Sequence, residues 1–447
     1  MERGATIGEA SGVGTEATEL LRRLIRFDTT NPPGNEREAQ EMLAGELGDA
    51  GFECELLGVE PDRPNLVARL RGEGEGPALC LLGHVDTVPA DPEDWTHDPW
   101  SGDLADEMVW GRGAQDMEGQ VAAEIAAATA LARSGWRPAG ELLVVVTADE
   151  EMGAHKGAKW LCEEHPEKVR SDLVVNEGGG MSFELRGRRF YTLCVGEKGV
   201  FRFDLNTTGR AGHASVPALG DNALLKLAPL LDALRDQPPP EPTPEGLEFL
   251  SILLGEEVGA DGLGAALERL GELDPLLTSF VAEPMLRVTL TPTMAQASPK
   301  ENVIPAHAKV LVDCRVPPEM TQADVRERVG PILGAAGESD DVAIEFVEDA
   351  VGNRSPSSTP LAEAIAATME ELDPGCGLVP IVMAGFSDSH WFRKAFDSAT
   401  VYGFCPQRGM SLAEAGPLIH GADERIMVSD MELAANFYVD LTRRLLG

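Results

Sequence analysis

The chain lacks any run of 18 apolar residues, and its opening stretch, MERGATIGEASGVG, has neither the basic start nor the apolar core of a secretory signal. A membrane-spanning helix and export through such a signal are therefore not expected, and the reading is of a soluble, cytoplasmic protein. Cysteine is sparse and unpatterned. Seven residues, at 54, 80, 162, 194, 314, 376 and 405, make an odd number without a C-x-x-C pair, and several sit inside apolar runs such as ALCLL. This argues against a disulfide framework and for reduced, buried thiols. Positive charge is the third shortage: 37 Lys and Arg, only 8 of them Lys, face 75 Asp and Glu, for a net charge of -38. Such a field repels nucleic acid and anionic membranes, so neither is expected as a partner. The surplus carboxylate has two readings, a surface adapted to high salt or the base composition of the genome. Tandem repeats and coiled-coil heptads are also absent.

What is present is a globular composition, 43% hydrophobic over 447 residues, long enough for two or three domains at roughly 100 to 200 residues each. The stretch LCLLGHVDTVP, from Leu79 to Pro89, is an apolar run that ends in a histidine, a carboxylate and a turn. It reads as a buried strand delivering His84 and Asp86 at its C-terminal end, where ligands of open α/β sheets gather. Side chains two apart on an extended chain point the same way, so Asp86 is placed to accept a hydrogen bond from the His84 imidazole and fix its tautomer. The pattern recurs: ELLVVVTADEEMG delivers Glu150 and Glu151 after the strand Leu142 to Thr147, and SDLVVNEGGG delivers Glu177. Between them, Asp116 stands at or just before an Ala-rich helix closed by Gly135, where the helix dipole favours a carboxylate.

Ahead of these elements, Leu20, Leu21, Leu24 and Ile25 form a helical stripe after a floppy start. Asn35 with Glu38 reads as a capping box opening a helix that closes at Gly51. The turn-rich interval from Ala90 to Gly113 reads as an active-site loop. Strands alternating with helices imply an α/β sheet, flanked by helices, with one functional edge.

From about Glu197 the texture changes to GVFRFDLNTTG, followed in order by helix, strand, strand, helix and strand. That order predicts an inserted ferredoxin-like α+β domain. Five prolines between 238 and 244 and a helical excursion to about 281 interrupt it. The expected boundaries are 15–196 and 350–447 for the two parts of the catalytic domain and 197–349 for the insert. A helix near Pro360 to Glu371, the segment GFSDSHWF, a strand at SATVYGFCP and a last helix capped by Ser429 with Glu432 complete the first domain.

Collected at strand and helix ends are His84, Asp86, Asp116, Glu150, Glu151, Glu177 and, in GPLIHGADERI, His420. Two imidazoles and several carboxylates form a donor set for one or two zinc, cobalt or manganese ions. If one of the adjacent pair at 150 and 151 binds metal, its neighbour is left free to take a proton. The motifs GHVDTVP, GRGAQDMEG, TADEEMG, NEGG, GRAGHASVP, NVIP and HGADERI resemble, in order, those of the co-catalytic zinc peptidase family. That family includes glutamate carboxypeptidase, aminoacylase-1, acetylornithine deacetylase and succinyl-diaminopimelate desuccinylase.

The resemblance implies a zinc-exopeptidase-like catalytic domain with an inserted lid that usually dimerises, and two divalent metal ions, zinc first, cobalt or manganese otherwise. It implies that His84 and Glu177 bind one ion, Glu151 and His420 the other, and Asp116 both. Asp86 would orient His84, Glu150 would be the general base, and His213 would stabilise the oxyanion, often from the partner subunit. Asn302 and Arg315 match positions associated with the substrate carboxylate. Two departures stand out: Glu118 where relatives often have Lys, which adds acid to an acidic region, and His390 in GFSDSHW where the resemblance implies an Arg that helps bind substrate. His97, His155, His165 and His307 have no motif support. The expected activity is hydrolysis of an amide bond next to a free carboxylate, in a short peptide or an N-acyl amino acid, with Glu177 shading the choice towards peptides. The alternatives are a ureido or carbamoyl amidohydrolase, a two-metal phosphoesterase, and a metal-binding scaffold without catalysis.

Overall fold

The computed structural model describes residues 7–72 and 74–447, apart from the side chains of 7–11. Residues 1–6, part of the stretch read above as lacking a secretory signal, and Glu73 lie outside the described residues. The chain forms two compact units. One comprises the chain up to Val195 with Ser355–Ile381 and Ser387–Gly447; the other comprises Gly196–Arg354 with Val382–Phe386.

The first unit is built on a ten-stranded mixed sheet. Strand Ala78–His84 lies parallel to Glu141–Thr147 on one side and to Leu173–Asn176 on the other, with His84 in register with Thr147. Strand Asn65–Arg71 runs antiparallel to Glu141–Thr147, and Thr400–Gly403 continues the parallel set beside Leu173–Asn176. Both faces of this sheet are covered, which explains why its strands read as continuous apolar runs. Leu79 and Leu81 pack towards one core with helices Ile7–Leu24, Glu118–Arg133 and Val428–Leu446. Cys80 and Leu82 pack towards a second core, with Leu161, Phe392 and Phe396. The Ala-rich helix Glu118–Arg133 is buried along nearly its whole length, small side chains allowing close approach of its neighbours. It ends as expected, with Gly135 at φ +82°.

Local expectations failed where tertiary contacts took over. The helix expected to begin after a floppy start begins at Ile7, and it lies so close to the C-terminal helix that a Cβ on Gly14 would come 2.8 Å from Glu432 Cα. The expected Asn35/Glu38 capping box is absent: helix Arg37–Asp49 has Glu36 at its N-cap without a side-chain cap, because the Glu36 carboxylate is buried against Arg63. The last helix starts at Val428, which places Ser429 inside it and not at its cap. Gly51, at φ +100°, does close its helix.

In the second unit, an antiparallel sheet runs Thr289–Gln296, His307–Val316, Phe203–Thr208, Val342–Phe346. Alternate residues Val310, Val312 and Cys314, with Phe203 and Leu205, pack against helices Ala223–Ala233 and Gln322–Gly337 through Leu227, Leu230, Val325 and Val329. The excursion after the prolines contains helices Pro244–Leu254 and Leu263–Leu273. Its end is tied down by Lys198, fully buried, whose Nζ donates to the carbonyls of Pro284 and Arg287 at 2.7 Å each.

Burial pushes the Lys198 ammonium from its ordinary 10.5 down to about 7. Between those values the unfolded chain carries a proton the folded chain lacks, so this group makes stability rise with pH across that window. Urea unfolding should show a gain of about 1 kcal/mol per pH unit above neutrality that disappears in Lys198→Met. The same slope in the variant would assign it to other groups.

All seven cysteines are free. Among the described residues no helix is long and apolar enough to cross a membrane.

Candidate metal centre

Parallel register brings the ends of three strands to one edge of the first unit's sheet. His84, the last residue of its strand, is 1% exposed. Its Nδ1 lies 3.0 Å from the Asp86 carbonyl oxygen, which can only accept, so Nδ1 carries the hydrogen and Nε2 of the neutral ring keeps its lone pair. Nε2 has no hydrogen-bond partner. It faces carboxylate oxygens of Asp116 at 3.3 Å, Glu177 at 3.7 Å and Glu150 at 3.9 Å.

The Asp86 carboxylate, expected to orient His84, lies farther from Nδ1, at 3.5 Å, than the residue's own carbonyl. It also does more. It accepts the backbone N–H groups of Glu150 at 3.0 Å and Glu151 at 3.1 Å, and the Asn31 amide at 2.8 Å. Asp149, at φ +66°, turns the chain sharply out of its strand, and Asp86 holds the resulting turn Glu150–Met152 in place. Asp149 in turn accepts from Arg63 and from Asn31.

Two three-residue groups result, each with donor atoms within 4.8 Å of one another: His84, Asp116, Glu177 and Asp116, Glu151, His420. Asp116 belongs to both and divides its oxygens, Oδ1 towards His84 at 3.3 Å and Oδ2 towards His420 Nε2 at 3.2 Å. His420 Nε2 is 3.1 Å from Glu151 Oε2. Donors about 2.0–2.1 Å from a tetrahedral ion stand about 3.3 Å apart, and the pairs here lie at 3.1 to 3.7 Å. Glu150 belongs to neither group.

The electrostatics describe a site short of positive charge. Burial, with help from Glu177, Asp388 and Glu151, pushes the Glu150 carboxyl well above the ordinary range against the opposing charge of His84. Burial does the same to Glu177. Hydrogen bonds to Asp116 and Glu151 lift the His420 imidazole to about 10. Without cations, burial draws Glu150, Glu151 and Glu177 towards the protonated form. Asp116, against its own burial, is held well below the usual carboxylate range by the two imidazoles, which are themselves drawn towards the charged form. Divalent ions would supply that charge instead, and the Nε2 of His84, without a hydrogen-bond partner, fits such an ion.

Several residues around the site escaped the sequence reading. Asn31, Arg63 and Glu36 are widely separated polar residues with no periodic signal. Glu424 lies within the quoted HGADERI, but nothing local shows that its carboxylate turns inward to Arg112. Glu118, read as adding acid to an acidic region, is buried, and burial together with Glu424 pushes its carboxyl well up, towards the uncharged form. His390 is buried against the Trp391 ring, and burial with the nearby Lys394 and Arg393 pushes it down to about 4, so at neutral pH it supplies no cation in place of an arginine.

His213, Asn302 and Arg315 lie in the second unit. His213 Nδ1 accepts the Ser215 backbone N–H at 3.2 Å, which directs the remaining ring hydrogen to Nε2. The Asn302 carbonyl accepts the Ala214 N–H at 3.1 Å, beside the short pairing of His213 with Val303. Arg315 Nε donates to Asp313 at 2.8 Å, a carboxylate shared with Arg202. His155 and His307 are exposed, and His97 and His165 are partly so.

Residues 80–444 match the profile of peptidase family M20/M25/M40. The succinyl-diaminopimelate desuccinylase of Alkalilimnicola ehrlichii is 28% identical over 442 residues, covering 97% of this chain and all of that protein. Among solved structures, an M20 family metallo-carboxypeptidase of Sulfolobus solfataricus superposes with a TM-score of 0.71 at 18% identity, covering 96% of this chain and 98% of that one. The dipeptidase Dug1p of Saccharomyces cerevisiae superposes with a TM-score of 0.69 at 17% identity, covering 97% of each chain. At these identities the structural likeness speaks for the fold, a mixed central sheet flanked by helices.

Proposed function

The chain belongs to peptidase family M20/M25/M40, a family of metal-dependent hydrolases, and we propose that it cleaves the amide bond next to a free carboxylate in an N-acyl amino acid or short peptide. The observation that carries this reading is Asp116, whose two oxygens face two separate imidazoles while Glu150 stands beside them outside both donor groups. His84 and Glu177 would hold one divalent ion, Glu151 and His420 the other, and Asp116 both. Divalent ions held there would supply polarisation of the substrate carbonyl and a more acidic attacking water.

The chain's own residues do the rest. The Glu150 carboxylate takes the proton from the attacking water and delivers it to the leaving nitrogen. Asp86 keeps that carboxylate in place through the Glu150 backbone N–H. His213, with its Nε2–H free to donate, stabilises the oxyanion. Arg315 and Asn302 recognise the substrate carboxylate. The imidazole and carboxylate donors favour zinc. The free cysteines support a cytoplasmic location. Leu219, Leu224 and Leu225, exposed on the second unit, support a homodimer.

Metal binding should stabilise the fold. At a hundred times its dissociation constant an ion that binds only the folded state adds about 2.7 kcal/mol, so zinc should raise the thermal midpoint and a chelator should reverse the rise. The decisive assay is free-amine release by zinc- or cobalt-loaded protein across dipeptides, N-acetyl and N-succinyl amino acids and ureido acids. Turnover of an amide beside a carboxylate supports the reading. Turnover of ureido acids alone would replace it with the carbamoyl reading, and silence with two ions bound would overturn it.

A further inference from the structure

Glu424 lies four residues beyond His420, is fully buried, and has no place in either donor group. Its Oε1 accepts two consecutive backbone N–H groups, those of Gln115 at 2.7 Å and Asp116 at 3.0 Å, while its Oε2 pairs with Arg112. Its own carbonyl accepts the Gly111 N–H at 2.9 Å. The next residue joins in, the Arg425 carbonyl accepting from the Gln115 side chain at 2.9 Å. On the other side of the loop, Asp423 accepts from the Thr96 backbone and hydroxyl. The Arg112 guanidinium rests over the Trp95 ring.

We infer that Glu424 is a positioning residue for both metal ions at once. The geometry gives the reason. Asp116 must present one oxygen to each donor group, which requires its backbone to hold a single orientation. That backbone leads into the helix Glu118–Arg133 without a side-chain cap of its own. Its N–H and the preceding one are instead anchored on a single carboxylate oxygen belonging to the loop that carries His420. Through Glu424, the shared ligand and a ligand of the second ion are fixed relative to each other, although they lie about 300 residues apart. Arg112 holds that carboxylate aimed through its contact with Oε2.

The inference rests on the two-ion reading of the site, and the test separates the two. Zinc binding is measured by competition with a chromogenic chelator, and cobalt binding by its visible absorption, for the wild-type chain and for three variants. In Arg112→Met/Glu424→Gln the buried charges leave together but an amide oxygen remains to accept both N–H groups. In Arg112→Met/Glu424→Met no acceptor remains. Glu424→Asp keeps the charge and withdraws the acceptor, and serves if the second variant does not fold. Both sites should weaken tenfold or more in the variants without a reaching acceptor, and remain within about threefold of wild type in the first. Glu177→Ala should weaken one site only. Equal affinities in all three variants and the wild type, or loss of one site alone, would overturn the role of Glu424. Failure of the wild-type chain to bind two ions would instead overturn the reading beneath it.

Discussion

Glu150→Gln should lower turnover by about 10²- to 10⁴-fold while leaving two metal ions bound. The substitution keeps the shape of the side chain and removes only its ability to take a proton. The backbone N–H of residue 150 still reaches Asp86, and neither donor group includes this side chain. The effect should therefore fall on kcat with little change in KM, a loss of about 3 to 5.5 kcal/mol of transition-state stabilisation. Steady-state kinetics on the best substrate of the panel, with metal content measured on the same sample, checks it. Full activity in the variant would remove Glu150 as the base. Loss of an ion would make it a ligand and pass the base role to another group.

Arg63→Met should cost about 3 to 5 kcal/mol of stability. The Arg63 side chain is 4% exposed and lies between two carboxylates that are as deeply buried, Glu36 at 0% and Asp149 at 5%. Methionine fills the space but leaves both acids without their cation. Burial already pushes the Glu36 carboxyl upward with Arg63 in place. Without the arginine the push is larger, so the folded variant binds a proton that the unfolded chain releases, and its stability should fall as pH rises and partly recover as pH falls towards 5 or so. Urea unfolding at several pH values checks both statements. A loss under about 1 kcal/mol would mean that water reaches the trio. Because Asp149 precedes the turn bearing Glu150 and Glu151, metal affinity should decline with stability in this variant.

The strands that carry the site were legible because each is buried on both faces, and such strands must be apolar from end to end. A charged or polar residue directly after such a run stands out, as His84, the Glu150/Glu151 pair and Glu177 do. The four strands named above in the second unit and the two helices packed on them were legible for the same kind of reason, an alternation of period two broken by helical stretches. Caps were not. Asn35 with Glu38 and Ser429 with Glu432 satisfy the local pattern, yet Glu36 is taken by Arg63, and Ser429 is drawn into a helix that starts one residue earlier. A cap contributes about 1 kcal/mol, which a buried ion pair or a packed helix end readily overrides.

The sequence by itself determined where along the chain the candidate donors fall, since apolar runs, turns and helix starts are local properties. Only the tertiary structure decided what those donors do together. Strand register placed His84 beside Thr147 and so brought the turn at 150 within reach of Asp86, which serves the backbone of Glu150 and Glu151 as well as standing near the imidazole. Packing of the His420 loop against the start of the Ala-rich helix aimed the two oxygens of Asp116 at different imidazoles and turned Glu424 beneath it. Such convergence depends on the directions of side chains from elements hundreds of residues apart. Those directions are set by burial and by the need of each buried polar group for a partner, and neither exists until the sheet and its helices have packed.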